Sequence, residues 1–276
     1  MTRAGTPENV ERHRQKVTRA HRVRNAADLV KLVDALGFAF AFTLRTGDAP
    51  IPACFDHLST NDVDRKWSWM WGWKDALPEE KKLYYGVLLA RKPTFVSLKV
   101  LPTFYATFGR AGETDDHLAD VRAGRLSDVA RRIIEYLAQN GETQTKRMRA
   151  ELGITSKEGR ALYGKAIDDV QRLMYVSRVR AVGEFREDYN YTYDLFVRRY
   201  PETVKAAERL SSTDATAALV TRTVELAGSV TEKQLVRLFD WDDAMAQRAI
   251  AEAARKRALV RRDGSLVLPA LYDGPA

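Results

Sequence analysis

The chain has 276 residues, and its 45 lysine and arginine residues against 37 aspartate and glutamate residues leave a net charge of +8. Hydrophobic residues make up 45% and charged residues 30%, values that exclude a wholly disordered chain and indicate a globular protein with a buried core. A single cysteine, Cys54, excludes an internal disulfide and a zinc site made of cysteines alone, and it indicates a reducing compartment.

The sequence indicates neither a membrane protein nor a secreted one. The longest mostly apolar run, Leu36 to Leu44, is far shorter than the roughly 20 residues that a membrane-spanning helix needs. The N-terminal residues lack the apolar centre of a secretory signal. We therefore expect a cytoplasmic protein. In that compartment the expected partner of a positively charged chain is nucleic acid, which indicates association with the nucleoid.

An N-terminal arm, residues 1–25, is strongly basic. The six cations between Arg12 and Arg24 have no acidic residue among them. A helix of this composition could lie on the phosphates of nucleic acid. A solvated extension without a specific role is an equal alternative.

A second predicted domain, residues 26–124, is rich in aromatic residues. The spacing of leucine and valine predicts a helix from Ala26 to Leu36 that ends at Gly37. The alternation of phenylalanine and alanine from Phe38 to Phe42 predicts a strand. A second helix is predicted to begin at Pro78 and to end near Leu89, because proline and acidic residues suit the first turn of a helix.

Four tryptophans in this domain recur at every second residue, and an extended chain would place their rings on one side. They are Trp67, Trp69, Trp71 and Trp73. We expect these rings to be part of the core, because large aromatic residues dominate interior packing. Stacking on nucleobases is the alternative.

A third predicted domain, residues 125–198, shows the order helix, helix, helix, strand, loop, strand. Its first helix is capped by Ser127 and stopped by Gly141, and its second helix is Gln144 to Leu152. The capping-box pair Thr155 and Glu158 begins the third helix, in which Leu162 is expected to face inward. The strands are Tyr175 to Val182 and Tyr191 to Phe196. A fourth domain, residues 199–276, repeats this order. Its markers are Gly228, the capping-box pair Thr231 and Gln234, a helix from Ala244 to Arg257 capped by Asp242, and a hairpin turn at Asp263 and Gly264.

Both patterns predict a winged helix, so we expect a predominantly helical α+β fold with tandem winged-helix units. The third helix of such a unit can enter the major groove of double-stranded DNA while the hairpin contacts the backbone. We therefore expect DNA contacts from the third helix and the hairpin of each unit, and from the second helix of the unit at residues 125–198. The expected contact residues are Lys146, Arg147, Lys157, Arg160, Lys165, Arg178, Arg180, Gln247, Arg248, Arg255, Lys256, Arg261 and Arg262. Among them, Arg160, Gln247 and Arg248 are the best candidates to contact base edges.

No familiar catalytic or cofactor motif is present, and we expect no cofactor. Cys54 and His57 have the spacing of half a metal site, but a second pair is missing, so we expect no metal. No phosphate-binding loop and no dinucleotide fingerprint occurs.

The predicted units, together with the segments Trp71-Gly-Trp-Lys-Asp-Ala-Leu-Pro and Arg91-Lys-Pro-Thr-Phe-Val-Ser-Leu, resemble the AlkZ-like winged-helix proteins. That family includes bacterial DNA glycosylases that act on bulky alkyl lesions and interstrand crosslinks. The resemblance implies a concave, basic DNA-binding surface of three winged helices, with residues 26–42 in a degenerate first unit.

The sequence departs from that family at the catalytic motif, which is Gln-x-Gln or Gln-x-Asp. None of the glutamines has Gln or Asp two residues later: Gln15, Gln139, Gln144, Gln171, Gln234 and Gln247. In the corresponding segment, Val33 to Phe40, Asp34 is the polar residue able to activate water, and it is a weak catalytic candidate.

Three functions are therefore open. The first is a non-enzymatic protein that binds double-stranded DNA in genome maintenance or transcriptional regulation. The second is a divergent glycosylase that excises alkylated bases and orients water with Asp34 or with a carboxylate near the aromatic residues. The third is a protein-protein interaction scaffold. The sequence leaves the oligomeric state open.

Overall fold

The computed structural model describes residues 7–19, 21–44, 49–110, 112–113, 115–183, 188–256 and 259–271. A first unit follows the N-terminal helix α1 (Pro7–Arg19). Its elements are α2 (Ala26–Leu36), β1 (Phe38–Phe40), α3 (Val63–Glu79), β2 (Tyr84–Val87) and β3 (Pro93–Val96). Gly37 ends α2 with a φ of +82°, a conformation that glycine adopts at little cost. Short 3-10 helices lie before α3 (Cys54–His57) and at the hairpin tip (Leu89–Arg91).

The helix α3 corrects two expectations. The Asp62 side chain accepts a hydrogen bond from the Arg65 backbone N–H at 3.0 Å and so caps a helix that runs through the alternating tryptophans. The extended conformation suggested by the alternating tryptophans is therefore wrong. Residues that recur at every second position also include pairs four positions apart, and such pairs are neighbours on a helix. A helix start at Pro78 is wrong too: this residue lies in the last turn of α3, and the following residues form β2.

A second unit follows the connecting helices α4 (Leu101–Ala106) and α5 (Asp116–Arg122). Its elements are α6 (Asp128–Asn140), β4 (Thr143–Gln144), α7 (Thr145–Glu151), α8 (Lys157–Arg172), β5 (Val176–Val182) and β6 (Asn190–Leu195). Ser127 caps α6 as predicted, and Gly141 follows its last residue. The loop between β5 and β6 lies partly outside the described residues, at 184–187.

A third unit follows α9 (Phe196–Arg199) and α10 (Pro201–Ala207). Its elements are α11 (Ser212–Ala227), β7 (Ser229–Thr231), α12 (Glu232–Phe239), α13 (Asp243–Arg255), β8 (Val260–Arg262) and β9 (Ser265–Val267). The capping box of Thr231 and Gln234 and the Asp242 cap are present. A two-residue turn of Asp263 and Gly264, both with positive φ, joins β8 to β9. Arg257, the predicted last residue of α13, lies outside the described residues.

The three sheets have the same topology. Their strand orders are β1-β3-β2, β4-β6-β5 and β7-β9-β8, and every pairing is antiparallel. The last strand of each unit therefore lies in the middle of its sheet. The second and third units show the predicted three helices and two later strands, and each adds a short, unpredicted strand, β4 or β7, after its first helix. The first unit places the 3-10 helix and α3 between its first two strands. The fold is accordingly predominantly helical with small antiparallel sheets.

One large hydrophobic core joins the first unit to the others. Buried residues of α2, β1 and α4 pack in the same cluster as Leu219 of α11, Leu238 of α12 and Phe196 of α9. The second and third units each have a further core of their own, built on α6 with α8 and on α11 with α13. Because the first core is shared, the position of the first unit depends on both of the others.

The N-terminal helix α1 packs against the C-terminal end of α11. His13 Nε2 lies 2.6 Å from the Glu225 carbonyl oxygen, and Arg14 Nε donates to the Ala227 carbonyl at 2.9 Å. Carbonyls in the last turn of a helix lack partners within the helix, and basic groups stabilise that end. Neither alternative for the basic arm included this contact, which uses two of its basic residues within the fold.

Candidate nucleic-acid interface

The third helix of the second unit, α8, exposes a row of cations. Ser156 Oγ accepts a hydrogen bond from the Gly159 N–H at 2.9 Å, so Ser156 and not Thr155 is the cap residue. Lys157 and Lys165 are exposed and have no hydrogen-bond or ion-pair partner among the described residues. Arg160 is exposed as well, and its Nη1 donates to the Thr155 carbonyl at 2.6 Å.

The exposed face of α8 also carries an apolar residue. Leu162 is 59% exposed, so its predicted place in the core is wrong. The buried face is centred on Tyr163, Ala166, Ile167 and Val170, and Leu162 lies outside that stripe because adjacent helix positions are about 100° apart. Two acidic residues, Glu158 and Asp168, are also exposed on this helix.

The third helix of the third unit, α13, exposes Gln247 and Arg248. Arg248 has no hydrogen-bond or ion-pair partner in the described part of the chain. The other two cations at this helix are engaged: Arg255 binds Glu252 at 2.7 Å, and Lys256 forms ion pairs with Asp214 and Glu252. Arg248 is therefore the cation of α13 that is available to a ligand.

The predicted contacts on the hairpins and on α7 are mostly engaged in ion pairs. Arg147 binds Glu151 at 2.7 Å, Arg180 pairs with Glu142, and Arg261 lies 3.8 Å from Glu232. Lys146 and Arg262 are exposed and have interactions within the chain. Binding of phosphate by the paired side chains would require them to leave or share a carboxylate.

Arg178 does not face the solvent. Its guanidinium carbon lies 4.0 Å from the ring centre of Tyr191 and 5.1 Å from that of Tyr85, in a half-buried position on β5. The alternation along the strand places Arg178 on the face that packs against the first unit. We therefore remove Arg178 from the expected DNA contacts.

Two tryptophans of α3 lie at the surface, although the sequence predicts a buried position. Trp67 is 48% exposed and Trp71 is 50% exposed. Trp67 stacks on Phe42 with a centroid distance of 5.5 Å, and Trp71 contacts Tyr189 at 5.6 Å. Trp67 therefore packs on Phe42 and Trp71 on Tyr189, and about half of each side chain is exposed to solvent.

A buried cation stands beside Trp71. Lys74 is 2% exposed, and its ammonium donates to both oxygens of Asp75, at 2.8 and 2.9 Å. It also donates to the hydroxyls of Tyr189 and Tyr191 and lies 4.0 Å from the centre of the Trp71 ring. This network joins α3 to the hairpin of the second unit.

The Tyr189 hydroxyl of this network donates to Asp75 Oδ2 at 2.5 Å. Burial and this hydrogen bond raise the pKa of Tyr189 above its ordinary value. The hydroxyl therefore remains protonated at neutral pH. The Asp75 carboxylate is partly exposed, and the Lys74 ammonium links it to Trp71 by contacting both.

Asp34, the weak catalytic candidate, is held by two neighbours. Its carboxylate accepts from the Lys99 ammonium at 2.6 Å and from the Ser97 hydroxyl at 2.5 Å. Partial burial raises the pKa of Asp34, but these hydrogen bonds outweigh burial and hold the pKa below its ordinary value. A carboxylate stabilised in this way is a poor proton acceptor.

A ring of four alternating charges connects the three units. Arg91, at the hairpin tip of the first unit, binds Asp169 at 3.1 Å and Asp240 at 3.0 Å. Arg172 binds the same two carboxylates, at 3.2 and 2.9 Å. Asp169 and Arg172 belong to α8, and Asp240 lies between α12 and α13, so the ring fixes the two third helices relative to each other.

Among the described residues, no group of three or more histidine, cysteine or acidic side chains is placed to hold a metal ion. Cys54 is fully buried, and burial raises the pKa of its thiol. No helix in the described ranges combines the length and the apolar character that a bilayer crossing requires.

Sequence reasoning missed Lys74, Trp71 and the charge ring as parts of the interface between units. For Lys74, a signal exists: Met70, Lys74 and Leu77 have helical spacing, and all three are buried on one face of α3. For the ring, the sequence offers no signal, because its members come from three separate units.

Together these features define a class of protein. It is mainly helical, it has three units that each contain a small sheet, and the third helices of its second and third units, α8 and α13, present cations to solvent. A family model described as AlkZ related matches residues 23–240. This chain therefore belongs to the AlkZ-related family, as the sequence resemblance indicated.

One solved structure with a similar fold is that of Streptomyces sahachiroi DNA glycosylase AlkZ. Its TM-score is 0.56 at 12% sequence identity, and the match covers 98% of this chain and 71% of that chain. At this identity, the likeness shows a shared fold. A search of curated proteins found no match.

Proposed function

We propose that this protein binds double-stranded DNA through its second and third units, in genome maintenance or transcriptional regulation. The observation that carries the proposal is the set of exposed cations on α8 and α13 that lack a partner in the described part of the chain: Lys157, Lys165 and Arg248. A DNA glycosylase with a similar fold supports DNA as the ligand.

Unpaired cations are the better phosphate contacts, because a paired cation must give up a carboxylate before it gains a phosphate. We therefore expect Lys157, Lys165 and Arg248 to contribute most to DNA affinity. The paired residues Arg147, Arg180 and Arg255 should contribute less. Arg160 and Gln247 remain the proposed base-edge contacts, since both are exposed on third helices, whereas we assign the unpaired Arg248 to phosphate.

A matched pair of triple variants tests the proposal. Lys157→Ala, Lys165→Ala and Arg248→Ala together remove three charges from the proposed surface. The control triple variant removes the same charge away from the proposed surface. It replaces three exposed cations, one in α2, one in α10 and one after α10, through Lys31→Ala, Lys205→Ala and Arg209→Ala. Binding to a fluorescent 20-base-pair duplex is measured by anisotropy.

The first triple variant should bind the duplex roughly tenfold or more weakly than wild type, because each lost phosphate contact weakens binding. The control triple variant should change affinity much less. Equal losses in both would show that net charge alone acts. A wild-type protein that does not bind the duplex would refute the proposal and favour an interaction scaffold.

A second candidate function is excision of alkylated bases. The favouring observation is the partly exposed Asp75 carboxylate, which the Lys74 ammonium links to the half-exposed Trp71. A base extruded from the duplex could stack on Trp71, while Asp75, whose oxygens already accept from Lys74 and Tyr189, positions water by hydrogen bonding and does not take its proton. The test is release of free base from alkylated DNA by wild type and by the double variant Lys74→Met with Asp75→Asn, which leaves no unpaired buried charge. Asp34→Asn is the control for the alternative carboxylate.

A further inference from the structure

The N-terminal helix α1 has two different faces. Its inner face carries Val10, His13, Arg14 and Val17, all of them partly buried. Val17 packs against the large shared core, and His13 and Arg14 contact carbonyl oxygens in the last turn of α11. The helix is therefore held against the fold along its inner face.

The outer face of α1 carries a row of cations. Arg12, Lys16 and Arg19 are exposed and lie four and three positions apart, so they share one side of the helix. None of the three side chains has a hydrogen-bond or ion-pair partner among the residues that the structure describes. The neighbouring acidic residue, Glu11, accepts a hydrogen bond from Gln15 at 3.1 Å. The three charges are therefore available to an anion.

The chain after α1 presents two further cations. Val23 is fully buried, its N–H donates to the His57 carbonyl at 3.2 Å, and its carbonyl accepts from the Ser59 N–H at 2.8 Å. Neighbouring side chains of an extended segment point to opposite sides, so those of Arg22 and Arg24 point away from the core, and both residues are exposed. Neither side chain has a hydrogen-bond or ion-pair partner in the described ranges.

The chemistry of these cations favours double-stranded DNA as the partner. Arg12 and Arg19 lie seven residues apart on α1, which corresponds to about 10 Å along the helix. The phosphates of one DNA strand follow each other about every 3.4 Å along the duplex axis, so the row spans about three of them. A membrane is a poorer partner, because Val10 and Val17, the apolar side chains described on α1, face the protein and are not available to a bilayer.

We propose that α1 and the segment after it form a second surface that binds the phosphates of double-stranded DNA, in addition to the surface of α8 and α13. This N-terminal surface consists of Arg12, Lys16, Arg19, Arg22 and Arg24. The inference rests on the proposed function, because DNA is the ligand of both surfaces. Since α1 is fixed to α11, phosphates that bind α1 attach the third unit to DNA by contacts that its third helix does not make.

Site-specific crosslinking tests the proposal on the full chain. The one cysteine of the sequence, Cys54, is fully buried, so a benzophenone maleimide labels a cysteine introduced at the surface. Lys16→Cys places the label on the N-terminal surface, Lys165→Cys places it on α8, and Lys205→Cys places it on α10 as the control. The control is distant from α1, because α10 leads to the first turn of α11, whereas α1 packs at the last turn of this 16-residue helix, about 24 Å further along.

On illumination with the fluorescent 20-base-pair duplex, Lys16→Cys and Lys165→Cys should both give severalfold more crosslinked DNA than Lys205→Cys. Crosslinks at Lys165→Cys without any at Lys16→Cys would overturn the inference and leave the proposed function standing. Crosslinks at Lys16→Cys without any at Lys165→Cys would support the inference and count against binding by α8. Crosslinks at neither position would overturn both.

Removal of charge from α1 gives a second measurement. The double variant Arg12→Ala with Lys16→Ala should bind the duplex roughly fivefold more weakly than wild type, because each lost phosphate contact weakens binding. The matched control is Lys205→Ala with Arg209→Ala, which also removes one lysine and one arginine four positions apart, both exposed, and it should change affinity much less. Equal losses in the two double variants would show that net charge alone acts and would overturn the inference.

Discussion

Replacement of Lys74 by methionine tests whether the network between α3 and the hairpin of the second unit stabilises the fold. The Lys74 ammonium is buried, binds both oxygens of Asp75 and lies 4.0 Å from the Trp71 ring centre. Methionine has a similar length and carries no charge, so it removes the ion pair and retains most of the apolar contact.

The magnitude follows from what is left behind. Removing one partner of a fully buried ion pair costs about 3–5 kcal/mol, because the remaining charge is uncompensated. The Asp75 side chain is 19% exposed, so water and the Tyr189 hydroxyl recover part of this cost. The cation-π contact with Trp71 adds roughly 0.5–1 kcal/mol. We expect Lys74→Met to lower the free energy of unfolding by about 2–3 kcal/mol.

Urea unfolding followed by circular dichroism measures this loss, and the double variant Lys74→Met with Asp75→Asn is the control. Removing both charges leaves no buried ion, so the double variant should recover to within about 1 kcal/mol of wild type. A single Lys74→Met variant within about 0.5 kcal/mol of wild type, the range of ordinary surface changes, would refute the reasoning. A double variant less stable than the single one would refute it as well.

Three further predictions concern stability, each measured by thermal or urea unfolding. Trp71→Ala should lower the free energy of unfolding by about 1 kcal/mol, because half of the side chain is exposed. Met70→Ala, at a fully buried position, should lower it by about 2–5 kcal/mol. Equal losses in the two variants would contradict this prediction. Gly228→Ala should be more destabilising than Gly124→Ala: both have positive φ, but a Cβ at residue 228 meets α1 at 3.2 Å while one at residue 124 meets nothing. Burial lowers the pKa of His57 below its ordinary value of 6.5, so protonation favours the unfolded chain. The free energy of unfolding should therefore fall as the pH drops from 7.5 through 6.5 to 5.5. The His57→Gln variant should show a smaller fall, and an equal fall would exclude His57 as the cause.

Local signals in the sequence predicted several helix ends correctly, because each depends on a few adjacent residues. Ser127, Asp242 and the Thr231–Gln234 box are caps in the structure as predicted. A cap is a hydrogen bond between a side chain and the backbone three residues on, so tertiary packing alters it little.

The errors occurred where a local pattern fits two structures. The alternating tryptophans suit a strand, but they also form the pairs Trp67 with Trp71 and Trp69 with Trp73 at helical spacing, and α3 takes the second option. The ring size of Trp71 favoured burial, yet half of it is exposed. Which face of a helix is covered depends on the neighbouring unit, and periodicity within α3 does not contain that information.

The composition of the proposed DNA surface was also only partly predictable. Sequence position identified Lys157 and Arg248 on third helices, where they are exposed. It did not show that Arg180 and Arg255 bind carboxylates or that Arg178 is enclosed by tyrosines. Partners of a charged side chain are set by packing between helices and strands, so a count of cations overstates the charge that is available.

The salt dependence of duplex affinity tests the central claim most directly. The logarithm of the association constant falls linearly with the logarithm of salt concentration, with a slope of about 0.9 for each phosphate contact. If Lys157, Lys165 and Arg248 contact phosphates, the triple alanine variant should show a slope smaller than that of wild type by roughly 2–3. Identical slopes for the two proteins would contradict the claim that α8 and α13 bind DNA.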